Sequence, residues 1–320
     1  MGVILKGFEP SNLTLGLTAL KKRLNQRCEK FPIIVDELNK HEAGEHGEQY
    51  LLSLFEMNRL PENTVILHNV AFTSNVQTQI DILIISPCWC LILEVKNIRG
   101  VLSFNSNPKQ LIRIKEDGTE EVFGSPEVQL KQYQFGLHSL LLNKGIRMPI
   151  YCAIIFPFNN AIIKQPPEKY PLLIGREIIQ YIWSLPINKN IVSPHHVGKL
   201  IMHHLEPWEA FPLCDYYEIN KEWILKGVEC PYCGTIPMSR TLRTWSCPKC
   251  KKNNISAHKQ ALKDYYMLIS KTISSKEAMN FLQLRNRFEA VRIIKANSLK
   301  RTGATNTSRF ELTLNRPDKK

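Results

Sequence analysis

From Gln79 to Asn97 the chain reads QIDILIISPCWCLILEVKN, two apolar runs meeting at a corner that contains Pro87. Apolar runs that do not alternate with polar residues predict strands covered on both faces. Ahead of them, His41 to Leu60 carries Leu51, Leu52 and Phe55 on one helical stripe, and TVILHNVAF predicts a further strand. Behind them come a strand near Val101 to Phe104, a short strand pair around EDGTEE, and a helix from about Ser125 to Asn143. PIYCAIIFPF and YPLLIG predict strands, REIIQYIWSL and SPHHVGKLIMHHL predict helices, and residues 12–40 are polar with a helical tendency. Strands followed by helices predict an α/β domain, a mixed sheet flanked by helices, over residues 41–225 with a helical segment at 1–40 before it.

After KGVE, which ends at Glu229, the composition shifts to Cys, Pro and Lys. Three short helices are predicted beyond residue 255: SAHKQALKDYYMLISKTI, SSKEAMNFLQL and RNRFEAVRIIKANSL. Ser274 and Glu277 have capping-box spacing at the start of the second. The third is expected to bury Phe288, Val291 and Ile294 and to leave Arg285, Arg287, Arg292 and Lys295 outside, the charge pattern of a recognition helix. LKRTGATNTSRFEL, with Lys300, Arg301 and Arg309, reads as a hairpin forming a basic wing. Three helices and a hairpin look like a winged helix-turn-helix over residues 256–320.

Charge sharpens this division. The net charge is +13, yet residues 251–320 hold 16 Lys and Arg against 5 Asp and Glu, while residues 1–250 hold 26 against 24. A local basic excess points to a polyanion, DNA first and RNA by the same chemistry, although a solvated basic face or a helical dimerisation module gives the same count. No apolar run approaches the roughly 20 residues of a membrane span, and MGVILKGFEP lacks the apolar core of a secretion signal, so a cytoplasmic protein without a membrane partner is expected.

Nine cysteines without a secretion signal do not suggest a disulfide framework. Cys230, Cys233, Cys247 and Cys250 form two Cys-x-x-Cys knuckles 13 residues apart. That spacing lets four thiolates close tetrahedrally on Zn²⁺ and leaves no open position for catalysis, so a structural zinc ribbon is expected over 226–255. Gly234, Lys249, Lys251 and Lys252 suit the turns and offset the thiolate charge.

The hairpin also carries charge that packing does not need. With a corner at Pro87 to Cys90, Ser86 pairs with Leu91 and Asp81 falls opposite Lys96, with Glu94 on the same face. The residues alone admit a structural salt bridge to Lys96 or a magnesium site; two acids for one lysine favour the cation. On the upstream helix Glu48 shares the buried stripe and Glu45 lies close to it, so position alone does not choose between them.

AGEHGEQYLLSLF, QIDILIISPCWCLILEVKNIRGVLSF and GSPEVQLKQYQFGL resemble, in this order, the blocks of the nuclease-related domain (NERD) family of the PD-(D/E)xK restriction-endonuclease-like superfamily. The resemblance covers about residues 40–160. It implies a restriction-endonuclease-like mixed sheet and hydrolysis of phosphodiester bonds in DNA with Mg²⁺ or Mn²⁺. Carried over residue by residue, Asp81 and Glu94 would bind the metal beside the Val95 carbonyl, Glu48 would complete the site, Lys96 would position the attacking water, and Gln129 would orient water or Lys96. A ribbon followed by a winged-helix-like module also resembles the C-terminal half of some NERD proteins. The leading expectation is therefore a metal-dependent nuclease, endo- or exonucleolytic, with a DNA-binding tail and room for a homodimer. The alternative is a DNA-binding or regulatory protein built on an inactive nuclease-like scaffold.

Overall fold

The computed structural model describes residues 2–187, 191–206, 209–297, 300–302 and 308–312. The chain opens with β1 (Val3–Lys6), α1 (Asn12–Arg23) and α2 (Phe31–Met57). The hairpin strands follow as β2 (Val65–Thr73), β3 (Gln77–Ile85) and β4 (Cys90–Val95), then β5 (Gly100–Ser106), β6 (Lys109–Ile114), β7 (Glu120–Gly124) and α3 (Pro126–Leu142). After these come β8 (Ile150–Phe156), β9 (Ala161–Gln165), β10 (Leu172–Ile174), α4 (Glu177–Ser184) and α5 (Pro194–His203). The remainder is α6 (Leu213–Tyr216), β11 (Ser239–Arg240), β12 (Trp245–Ser246), β13 (Asn253–Asn254), α7 (Ala257–Leu268), β14 (Thr272–Ile273), α8 (Ser275–Leu282), α9 (Arg287–Ala296), β15 (Lys300–Thr302) and β16 (Arg309–Glu311).

Two compact units result, Met1–Ser11 with Lys40–Trp208 and Asn12–Asn39 with Glu209–Lys320. The first is built on a six-stranded mixed sheet in the order β1-β2-β3-β4-β8-β10, with β2, β3 and β4 antiparallel and β8 parallel to β4. One face carries Leu83, Ile85, Cys90 and Ile92, packed with Leu130 and Leu137 of α3 and Val197 and Ile201 of α5. The other carries Ile82, Ile84, Leu91 and Leu93, packed with Leu51, Leu52, Leu54 and Phe55 of α2 and Ile178 and Ile182 of α4. Burial on both faces is why β3 and β4 read as continuous apolar runs rather than alternating ones. A second sheet, β7-β6-β5-β9, belongs to the same unit.

The hairpin register differs from the sequence expectation. Ile85 pairs with Cys90 and Ile84 with Leu91, so the next pair in register is Asp81 with Glu94, not with Lys96. The corner is tighter than expected because Ser86 closes it. Its backbone N–H donates to the Trp89 carbonyl at 2.8 Å, and its Oγ accepts from Cys88 N and Trp89 N, each at 3.0 Å. The slip is two residues, so every side chain keeps its face. Helix α2 also starts at Phe31, earlier than the stripe from His41 suggests; Pro32 lies in its first turn, where a missing N–H costs nothing. Strands β1 and β9 are short and carry too little periodicity to stand out in the sequence.

The second unit packs α1, the start of α2, α6, α7, α8 and α9 around Leu20, Ile34, Trp245, Leu268, Phe281 and Ile294. Its charged core element is Arg23, fully buried, whose Nε donates to Asp264 Oδ2 at 2.7 Å and whose Nη1 donates to the Leu225 and Gly227 carbonyls at 3.0 Å each. Two three-stranded sheets complete it, β11-β12-β13 and β14-β16-β15. Ser274 and Glu277 form the capping box at the start of α8 that their spacing predicts. The polar turn of the expected basic wing, residues 303–307, lies outside the described residues.

Candidate active site

Glu94 is the penultimate residue of β4 and is only 3% exposed, while Asp81 on β3 is partly buried beside it on the face toward α3. Asp81 Oδ2 accepts from the Val95 backbone N–H at 2.8 Å, which pins the carboxylate across the end of the strand pair. Glu94 Oε1 accepts from Lys96 Nζ at 2.6 Å, the salt bridge that the residues alone allowed. That pair does not exhaust the site: Glu94 Oε2 is buried and has no hydrogen-bond partner among the described residues, and neither has Gln129 Oε1 on α3. A buried carboxylate oxygen without a partner costs about 1–3 kcal/mol or more and calls for a cation or an ordered water.

The electrostatics agree. Burial, then the charges of Glu94 and Glu48, hold the Asp81 carboxyl well above the usual carboxylate range against the opposing pull of Lys96 and Val95 N–H. Burial also raises Glu94, more than its bond to Lys96 lowers it. Burial works to lower Lys96, but the attraction of Glu94 and Asp81 wins and keeps the ammonium charged. One lysine therefore leaves the two acids under-compensated.

The upstream helix supplies a third acid. The charge of Glu48 acts on Asp81, Glu94 and Lys96, and Glu45 Oε1 accepts from the Ser11 backbone N–H at 2.8 Å. Gly47 makes the approach feasible, since a Cβ there would stand 3.2 Å from Asn97 Cβ and 3.0 Å from Pro157 Cγ at the end of the sheet. Glu48 Oε2 in turn accepts from His68 Nε2 at 2.7 Å. Tyr133, one turn beyond Gln129 on α3, has its phenol pushed up by burial and by the charges of Glu94 and Asp81. Sequence reasoning singled out neither His68 nor Tyr133; an isolated His in an apolar strand and a Tyr on an amphipathic helix carry no spacing signal.

The four cysteines of the second unit gather as their spacing predicts, all Sγ atoms lying within 4.8 Å of one another. Cys230 and Cys250 Sγ are 3.6 Å apart and Cys233 and Cys247 Sγ 3.5 Å, close to the roughly 3.7 Å edge of a tetrahedron with 2.3 Å metal–sulfur bonds. The knuckles match: Gly234 N donates to Cys230 O at 2.9 Å and Lys251 N to Cys247 O at 3.1 Å, with both residues at positive φ. Hydrogen bonds from Thr235 lower the Cys233 thiol to about 6, well toward thiolate at neutral pH. Among the described residues this is the one set of three or more Cys, His, Asp or Glu gathered so closely; Asp81, Glu94 and Glu48 are more widely spread.

On α9 the buried stripe is Ala290, Ile293 and Ile294. Phe288, expected in that stripe, is 80% exposed, and Val291 is half-buried. The helix phase explains the difference, since six residues at 100° each leave Phe288 about 120° away from Ile294. Arg285, Arg292 and Lys295 are exposed; Arg287 is exposed too, its Nε bonded to Ser275 Oγ at 2.7 Å. Lys300 and Arg301 are exposed on β15, and Arg309 is held by Thr272 and by Glu277 at 2.9 Å. No helix among the described residues is long and apolar enough to cross a membrane.

No curated protein and no solved structure matches the chain. Residues 43–157, which run from α2 through β8 and hold Glu48, Asp81, Glu94, Lys96 and Gln129, match the family model of the nuclease-related domain, NERD, and the chain therefore carries a nuclease-related domain.

Proposed function

We propose that the first unit is a Mg²⁺-dependent nuclease, with Mn²⁺ as an alternative ion, that hydrolyses phosphodiester bonds in DNA. The observation that carries this reading is the orphaned oxygen of Glu94 beside Asp81, in a domain that matches a nuclease-related family. The donor set fits a hard cation: two carboxylates and a backbone carbonyl at Val95 are the oxygen ligands that Mg²⁺ takes alongside the waters it retains. The bound ion would supply Lewis-acid stabilisation of phosphate charge and a more acidic water. Asp81 and Glu94 would hold it, Glu48 would add negative charge to the site, and Val95 N–H keeps Asp81 in place. Lys96, kept charged by Glu94 and Asp81, orients the attacking water and stabilises negative charge developing on the phosphate. Gln129 Oε1, also buried without a partner among the described residues, would accept a hydrogen bond from that water or from Lys96.

The second unit we read as the part that delivers the nuclease to DNA. Its four cysteines would hold a structural Zn²⁺ in a ribbon within 226–255, and the helices and small sheet of 256–320 would act as a winged-helix-like module with Arg285, Arg287, Arg292, Lys295, Lys300 and Arg301 toward the phosphates. Removing one phosphate-binding side chain should flatten the salt dependence of binding by about one unit of slope, so Arg292→Ala and Lys295→Ala test this without disturbing the core.

Plasmid and oligonucleotide cleavage with Mg²⁺, with Ca²⁺ and with chelator tests the activity. Cutting by the wild type that Asp81→Asn and Glu94→Gln abolish supports it. A folded, zinc-loaded wild type that cuts neither DNA nor RNA in Mg²⁺ or Mn²⁺ would return the site to the salt bridge between Lys96 and Glu94 and the domain to a binding scaffold.

A further inference from the structure

His68 is 1% exposed on β2, paired in register with Ile82, the residue after Asp81. Its ring does one polar thing: Nε2 donates to Glu48 Oε2 at 2.7 Å, while Nδ1 is buried without a partner among the described residues. An apolar side chain would fill the same place against Phe8, whose ring centroid lies 5.2 Å away, without leaving a buried nitrogen unsatisfied. Packing therefore does not account for an imidazole here, and the bond to Glu48 does. The backbone beneath it is held as well. Lys6 Nζ donates to the carbonyls of His68 and of Asn69, the latter at 2.9 Å. Asn69 itself is at φ +47, a left-handed residue inside a strand, opposite Asp81 in register.

We propose that His68 is a positioning residue: its Nε2–H, on a strand segment clamped by Lys6, fixes Glu48 so that the carboxylate strengthens divalent-cation binding at Asp81 and Glu94. Charge-assisted bonds that orient a metal-site carboxylate change metal affinity by about 10- to 100-fold when removed. This rests on the magnesium reading above, and metal affinity rather than cleavage separates the two.

The test is a Mn²⁺ titration of the full-length, zinc-loaded protein by electron paramagnetic resonance or calorimetry. His68→Leu should weaken Mn²⁺ about ten-fold, Glu48→Gln by a similar factor, and the double variant no more than either alone. His68→Gln, whose amide can donate to Glu48, should recover most of the loss. Should His68→Leu fold poorly by circular dichroism, His68→Asn, too short to reach Glu48, takes its place. A folded His68→Leu or His68→Asn that binds Mn²⁺ as the wild type does, while Glu48→Gln is weakened, overturns the proposal alone. A wild type that binds no Mn²⁺, or an Asp81→Asn that binds it equally well, overturns the magnesium reading and the proposal with it.

Discussion

The two clusters of potential metal ligands in this protein are built in opposite ways. Around Asp81 and Glu94, hard oxygen ligands sit at the end of the buried runs Ile82 to Ile85 and Cys90 to Val95, so burial raises both carboxyls and one oxygen is left without a partner. At Cys230, Cys233, Cys247 and Cys250, soft thiols hang from two short turns beside strands of two residues each, with Cys230 and Cys247 buried against the core of the second unit and Cys233 exposed. In the first case an apolar core holds the ligands apart from any ion, at a cost to stability. In the second the turns are too short to be stable alone, and the ion would do the holding. A metal bound by the first would serve chemistry, and a metal bound by the second would serve folding.

The largest effect expected from this contrast is on the thiol side. Structural zinc in small modules contributes about 10–16 kcal/mol, so Cys247→Ser or strong chelation should abolish protection of residues 228–255 from hydrogen exchange while β3 and β4 stay protected. Equal loss in both regions would break the comparison. On the carboxylate side, Lys96→Ala should leave Mn²⁺ bound but slow cleavage by about 10²- to 10³-fold, the range for a positioned donor that stabilises developing negative charge, as measured by single-turnover kinetics beside a metal titration.

Packing within α9 sharpens the contrast by separating buried from exposed residues on one helix. Ile294→Ala should destabilise the second unit by about 2–5 kcal/mol in chemical denaturation, whereas Phe288→Ala should change stability by no more than about 0.5 kcal/mol.

Acid should then act on the two units with opposite sign. Burial, with Arg240 and Lys259, depresses His258 to about 4, and Trp245 Nε1 donates to its Nδ1 at 3.1 Å. An unfolded histidine titrates near 6.5, so the unfolded chain takes up the proton first, and the stability His258 contributes is lost as pH falls from about 6.5 through about 4. Asp81 runs the other way: its raised carboxyl makes the protonated form the stable one, and that contribution is lost as pH rises through the folded value. Local opening followed by hydrogen exchange across this range should show the second unit loosening on acidification and the β3–β4 end of the first tightening.

The sequence made some of this legible and hid the rest for physical reasons. Cys-x-x-Cys spacing is local, so the thiol cluster could be read directly. Asp81, Glu94 and Lys96 could be placed on one face because strand alternation survives even a two-residue error in register, which is the error the Ser86 turn introduced. Phe288 is exposed where the sequence predicts burial, because apolar residues at 288, 291 and 294 fit a helical stripe nearly as well as 290, 293 and 294 do, and Ala290 is too small to announce itself. The bond between His68 and Glu48 was invisible, since it joins a helix to a strand and neither residue's neighbours mark it.

Thermal melting of Asp81→Asn against the wild type, at neutral pH with and without Mn²⁺, tests the central claim most directly. If the acids are held against their own burial for the sake of a cation, metal-free Asp81→Asn should melt a few degrees higher than the wild type, about the effect of 1 kcal/mol on a unit of this size. Mn²⁺ should raise the wild type and leave the variant unmoved. A wild type indifferent to Mn²⁺, together with an Asp81→Asn that melts lower, would contradict the account and make the cluster a structural ion pair.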